Sequence, residues 1–205
     1  MISRVFSCRD PCEKLTFVIR LLRGKRIFMN YTYLAIEGNI GAGKTSLARL
    51  TAKKYNAGLI LEQYAENPFL SKFYEDPDRF SFPLEMSFLA SRYRQLRREL
   101  NLSGLSRTFT VADYFFSKSL IFSKITLQED EFDLYRALFN IIHQQLPKPD
   151  LYVYLHVSVD KLLENIRRRN RDFEKNIQPD YLEQLQQGYF EYLRYCRIRE
   201  YLYWT

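Results

Sequence analysis

The chain of 205 residues has little cysteine, histidine or tryptophan: three, two and one, beside seven glycines and seven prolines. Cys8, Cys12 and Cys196 are odd in number and lack zinc-finger spacing, and His143 and His156 lie far apart in apolar surroundings. Neither a disulfide framework nor a structural metal is expected, and a reducing, cytoplasmic compartment fits. Few glycines and prolines beside 46% hydrophobic and 27% charged residues exclude collagen-like and disordered chains. Long apolar runs are missing too. The best, residues 15–22, is interrupted by Arg20 and falls short of the roughly 18 to 20 residues of a transmembrane helix. One domain with a sizeable core is expected at this length.

What the chain has in excess is positive charge, 31 Lys and Arg against 24 Asp and Glu, or +7. A basic chain suggests an acidic partner such as nucleic acid, until the charge is located. Residues 1–28 hold seven basic and two acidic groups, +5, which leaves +2 over residues 29–205. We therefore read residues 1–28 as a basic, poorly ordered N-terminal extension and residues 29–205 as the folded domain, and expect no nucleic-acid partner. The extension is Arg-rich enough for a transit peptide, although Asp10 and Glu13 weigh against one, and Met29 is an alternative start.

From residue 31 onward strand and helix signals alternate. Residues 32–37, 59–62, 109–113 and 151–156 read as short buried strands. Helices are expected over 44–55, from Pro83 to about residue 100, near 115–123, over 131–146, from Ser158 to Arg168, and from Pro179. Strands of this length separated by helices imply parallel βαβ units with both sheet faces covered.

Gly38-Asn39-Ile40-Gly41-Ala42-Gly43-Lys44-Thr45 fits G-x-x-x-x-G-K-[ST], placed after a strand and before a helix as a phosphate cradle requires. Backbone N–H groups of such a loop wrap the phosphates, and the helix N-terminus adds positive potential. Lys44 would reach the β and γ phosphates of ATP or GTP, and Thr45 would ligate Mg²⁺. A glycine-rich turn without nucleotide is the competing reading.

The acceptor belongs beyond the carboxyl ends of the neighbouring strands. Residues 61–70 contain no Lys or Arg to hold an acceptor phosphate, but they offer Glu62. A neutral hydroxyl needs a general base, so an alcohol is the better acceptor, with Glu62 as that base. Arg167, Arg168, Arg169 and Arg171 end a helix before a polar segment, which suits a mobile cover over phosphates or a merely solvated basic face. Glu85 and Arg92, seven residues apart, share a helical face with Phe88 and Leu89. They are either the base pocket or a structural ion pair.

At these residues the chain resembles the deoxynucleoside kinase family over about residues 33–195. The Ile36-Glu37-Gly38-Asn39-Ile40 lead looks like the family's Walker motif, and Glu62 falls where the family keeps its catalytic base. Tyr74 matches the tyrosine that holds the sugar 3′-hydroxyl. Arg169, Arg171 and Glu174 look like its lid. The resemblance implies an α/β, three-layer αβα P-loop NTPase with a parallel sheet and a helical lid, usually a homodimer through long helices. It implies ATP and Mg²⁺ in the loop, with Thr45 and Asp113 on the metal side. Catalysis would fall to Glu62, Lys44, Arg169 and Asp113, and substrate binding to Glu62, Tyr74, Glu85, Arg92 and Glu174.

Three departures qualify this. The family carries glutamine where Glu85 stands; a carboxylate only accepts hydrogen bonds, which favours a purine with adjacent donors such as guanine. After Asp113 the family has arginine, whereas this chain reads Tyr114-Phe115, with Lys118 the nearest substitute cation. The family continues into a fifth strand, and the short aromatic end at residues 201–205 leads us to expect only four strands and a reduced stability. A nucleoside monophosphate kinase and a catalytically impaired nucleotide-binding protein stay open as alternatives.

Overall fold

The computed structural model of the chain describes residues 4–6, 31–64, 67–103, 109–195 and 201–204. Its strands are β1 (Arg4–Phe6), β2 (Tyr33–Gly38), β3 (Gly58–Ile60), β4 (Thr110–Ala112), β5 (Leu151–Leu155) and β6 (Tyr201–Trp204). They form one parallel sheet in the order β1-β6-β5-β2-β4-β3. The α/β class and strands β2, β3, β4 and β5 are as the sequence implies. The expectation of a missing edge strand is corrected: residues 201–204 pair with β5 in register Tyr152↔Tyr201 to Leu155↔Trp204. This segment is too short and too uniformly apolar to show a strand period, so it read as a tail. Beyond it β1 pairs with β6, so part of the expected N-terminal extension is placed at the sheet edge. The rest of residues 1–28 lies outside the described residues, apart from β1.

Every residue of β2 and β5 is buried, because helices cover both faces. The side chains of β2 alternate as a pleat requires. Leu34 and Ile36 enter one core with Leu47, Val153, Leu162 and Ile166; Tyr33 and Ala35 enter the other with Leu89, Leu96, Phe115 and Phe139. The covering helices are α1 (Lys44–Tyr55), α2 (Leu70–Glu75), α3 (Pro77–Ser103), α4 (Lys118–Thr126), α5 (Glu129–His143), α6 (Val159–Arg169) and α7 (Pro179–Tyr195). Among the described residues no helix is long and apolar enough to cross a membrane.

Helix α3 begins six residues before the expected start at Pro83. Asp76 caps it, with its Oδ1 accepting from the Arg79 amide at 3.3 Å, and Pro77 supplies the preset first turn. Pro83 is carried inside the helix instead. Helix α5 likewise starts early, at a capping box between Gln128 and Glu131.

The order of the sheet fixes where a ligand can sit. The chain leaves β2 toward β4 and β3 on one side and returns past it to β5 on the other. Loops at the carboxyl end of β2 therefore diverge and open a crevice.

Candidate active site

Residues 38–45 occupy that crevice. Gly41 has φ +83°, and a Cβ there would lie 2.9 Å from the Leu162 carbonyl oxygen; Gly43, at φ +90°, caps α1 with open space where its Cβ would be. Side chains are thus excluded on the inner face by packing and on the outer face by the space a phosphate needs. Asn39 braces the loop from below, donating to the Leu182 carbonyl at 2.7 Å and accepting from the Ile40 amide at 2.8 Å. Lys44 Nζ donates to the Asn39 carbonyl at 2.8 Å, which folds the ammonium back over the loop. Burial and the nearby Lys118 ammonium pull Lys44 down to about 8, against the pull of Glu37, Glu62 and Asp113.

Two side chains and one backbone amide meet at the front of the loop. Thr45 Oγ1 donates to Asp113 Oδ2 at 2.6 Å, and the Glu62 amide donates to Asp113 Oδ1 at 2.8 Å. Among the described residues no cluster of three or more His, Cys, Asp or Glu could hold a metal by itself. One hydroxyl and one carboxylate fit Mg²⁺, which keeps waters and phosphate oxygens among its ligands.

Glu62 is held from two sides. Its Oε1 accepts from Arg92 Nε at 3.0 Å and Nη2 at 2.8 Å, and its Oε2 accepts from Lys118 Nζ at 2.5 Å. Burial pushes the Glu62 carboxyl up, but Lys118 and Arg92 outweigh it and bring it down to about 2. Arg92 also donates to Ser119 Oγ at 2.9 Å and lies 4.5 Å over the Phe88 ring. Arg92 thus pairs with Glu62 rather than with Glu85 on its own helix face, because α3 and the end of β3 bring Arg92 and Glu62 together across 30 residues.

Glu85 is only 2% exposed; Thr126 Oγ1 donates to its Oε1 at 3.2 Å, while its buried Oε2 has no hydrogen-bond partner among the described residues. Burial pushes this carboxyl up to about 7, against the opposing pull of Arg92. Glu85, Phe88, Arg92, Tyr74 and Tyr181 line one end of a cleft whose other end is lined by Ile40, Gly41, Lys44 and Thr45.

Arg169 and Arg171 border the same cleft, and the buried Glu174 carboxylate bridges them, taking both Arg169 Nε, at 2.9 Å, and Nη2 on one oxygen and Arg171 on the other. Phe173 stacks on Tyr74 with ring centroids 6.3 Å apart, and Arg171 lies 4.4 Å over the Tyr64 ring. Arg167 and Arg168 are exposed outside it.

Apart from Arg167 and Arg168, every nominated side chain outside the loop, from Glu62 to Glu174, lines this one cleft. Tyr114, at the position of the missing family arginine, does not. It is buried in the core, its hydroxyl donating to Gln95 Oε1 at 2.7 Å. Glu37 went unnoticed in the sequence as a supporting group. It is buried under the loop, its Oε1 accepting from the Phe115 amide at 2.6 Å and its Oε2 from the Tyr189 hydroxyl at 3.0 Å. A carboxylate inside an apolar strand beside the loop was its only signal.

A sequence model of the family described as deoxynucleoside kinase matches residues 34–202. A deoxyguanosine kinase of Bacillus subtilis (strain 168) is 40% identical over 157 residues, 77% of this chain and 76% of the relative. A deoxyadenosine kinase of Dictyostelium discoideum is 36% identical over 165 residues, 80% of this chain and 67% of the relative. The structure of a deoxyadenosine kinase from M. mycoides with dCMP and a flexible dCDP bound matches at a TM-score of 0.74, covering 85% of this chain and 90% of that one. At 24% identity that likeness speaks to the fold.

Proposed function

The chain belongs to the deoxynucleoside kinase family, enzymes that phosphorylate deoxynucleosides, and from that premise we propose that it transfers the γ-phosphoryl group of ATP to the 5′-hydroxyl of a purine deoxynucleoside, preferably deoxyguanosine. The observation that carries the proposal is the continuous line Thr45, Asp113, Glu62. Two hydrogen bonds join Thr45 through the Asp113 carboxylate to the backbone amide of Glu62, whose own carboxylate lines the acceptor end of the cleft.

In this reading the loop amides and Lys44 hold the donor phosphates, and Arg169 and Arg171 close over them once Glu174 gives them up. Thr45 and Asp113 would hold Mg²⁺, which neutralises charge on the phosphates when bound. Glu62 Oε2 takes the proton of the 5′-hydroxyl, while Arg92, pinned by Ser119 and Phe88, keeps the carboxylate aimed. Tyr74 would hold the sugar 3′-hydroxyl and Glu174 would reach the sugar, a reading supported by their place on the cleft lining. Both cations nearest Glu62 are engaged by it, which supports an alcohol rather than a phosphorylated acceptor. The unpartnered Glu85 Oε2 supports guanine, whose N1–H and exocyclic amine are adjacent donors for an ionised carboxylate.

A cytoplasmic homodimer is part of the same proposal. Leu134 and Ile141 are 55% and 62% exposed and two turns apart on one face of α5, a surface for helix packing. The test of function is purified protein with ATP, Mg²⁺ and each of the four deoxynucleosides, with products separated chromatographically. Deoxyguanosine is expected to give its 5′-monophosphate fastest. No monophosphate from any of them refutes the proposal, and faster phosphorylation of dGMP than of deoxyguanosine would favour a nucleoside monophosphate kinase.

A further inference from the structure

Lys118 is in an electrostatically costly place. It is the first residue of α4, where the helix dipole is positive and no acidic residue occupies the first turn. Its side chain is only 8% exposed, and it lies close enough to Lys44 for the two ammoniums to oppose each other. Among the described residues its one ion-pair partner is Glu62. Arg92 already satisfies the other oxygen of that carboxylate with two hydrogen bonds, so fold stability alone does not call for a second buried cation there.

The two partners of Glu62 differ in how firmly they are held. Arg92 is fixed by Glu62, by Ser119 and by the Phe88 ring. Lys118 has a flexible four-carbon stem, and among the described residues its ammonium meets only Glu62 Oε2 and, at 5.1 Å, the Phe122 ring. The oxygen that Lys118 covers is the one a hydroxyl must reach, since Oε1 is occupied.

We infer that Lys118 is a catalytic cation that leaves Glu62 Oε2 when the acceptor hydroxyl arrives and closes on the phosphoryl group in transit between Lys44 and that hydroxyl. This rests on the phosphotransfer reading above. In the step, the acceptor oxygen bonds to the γ-phosphorus and the bond from that phosphorus to the β,γ-bridging oxygen breaks. The electron pair of that bond leaves with ADP, and the hydroxyl proton passes to Glu62 Oε2. Lys118 keeps its three protons and donates hydrogen bonds to the non-bridging oxygens, where a loose transition state gathers negative charge.

The test compares K118M and K118R with the unaltered full-length protein, measuring kcat with ATP and Mg²⁺ and deoxyguanosine affinity without ATP. K118M should lower kcat by roughly 10²–10³-fold, the usual loss for one oxyanion donor. Its affinity for deoxyguanosine should be equal or tighter, because the hydroxyl no longer competes with an ammonium for Oε2. K118R should recover at least about tenfold of the lost kcat, since a guanidinium can still donate to phosphate oxygens. A K118M kcat within about threefold of the parent overturns the inference, as do affinity falling in step with kcat and no recovery in K118R. If K118M does not fold, K118Q carries the same comparison, and failure of both neutral variants to fold makes Lys118 structural and overturns it as well. A parent protein that phosphorylates no deoxynucleoside overturns the proposed reaction itself; a parent that is active, with E62Q dead and K118M active, overturns only the role of Lys118.

Discussion

Replacing Glu85 by glutamine should make the protein more stable at pH 8 than at pH 5 relative to the parent. The Glu85 carboxyl is buried with one oxygen unpartnered, and burial raises it from 4.5 to about 7. For an acid raised on folding, the native state binds more protons than the unfolded state between those two values, so stability falls as pH rises through that window. Above it the penalty levels off at about 3 kcal/mol, from 1.36 kcal/mol per unit of displacement. Between pH 5 and pH 8 the parent accumulates most of that penalty, and E85Q, with nothing to ionise there, accumulates none. Glu37, also raised to about 7 by burial, is present in both proteins and cancels in the difference. Urea denaturation of the two proteins at both pH values measures the effect. A stability difference between them that is the same at pH 5 and pH 8 would refute the reasoning, whatever its absolute size.

The same variant tests selectivity. An amide both donates and accepts, so E85Q should move the preference from deoxyguanosine toward deoxyadenosine, read as a change in the ratio of kcat/KM values of at least about tenfold. Gly41→Ala should cost about 1–3 kcal/mol, because a Cβ at φ +83° would lie 2.9 Å from the Leu162 carbonyl; thermal denaturation checks it. Asn39→Ala should cost about 0.5–1.5 kcal/mol through the lost buried hydrogen bond that ties the loop to the Leu182 carbonyl of α7, measured by chemical denaturation. Glu174→Ala should free Arg169 and Arg171, increasing protease cleavage within residues 170–178, with added ATP restoring protection.

The parts of the site that lie within a few residues of each other were legible in the sequence. Gly38 to Thr45 carry their chemistry in their spacing, and the inner strands around them announce themselves as buried runs. What depends on contacts across the fold was not. The partner of Arg92 is Glu62, 30 residues away, rather than the nearer Glu85 on its own helix face, because β3 and α3 converge at the cleft. Lys118 could be nominated as a cation one turn beyond Tyr114, but its seat on Glu62 needs the position of α4. The start of α3 was lost between two prolines, since Asp76-Pro77 and Pro83 give competing signals and capping decided it. Strand β6 is recognisable only through its partner β5, because four apolar residues hold no periodicity of their own.

The central claim is that Glu62 takes the proton from a deoxynucleoside 5′-hydroxyl while the loop around Lys44 presents ATP. It is tested most directly by E62Q, which keeps the shape of the side chain that Arg92 and Lys118 enclose. Phosphorus NMR of ATP, Mg²⁺ and deoxyguanosine should show 5′-monophosphate and ADP forming with the parent protein. With E62Q the rate should fall roughly 10²–10⁴-fold, the range for loss of a general base, while ATP affinity stays unchanged. Turnover by E62Q at the parent rate would contradict the account.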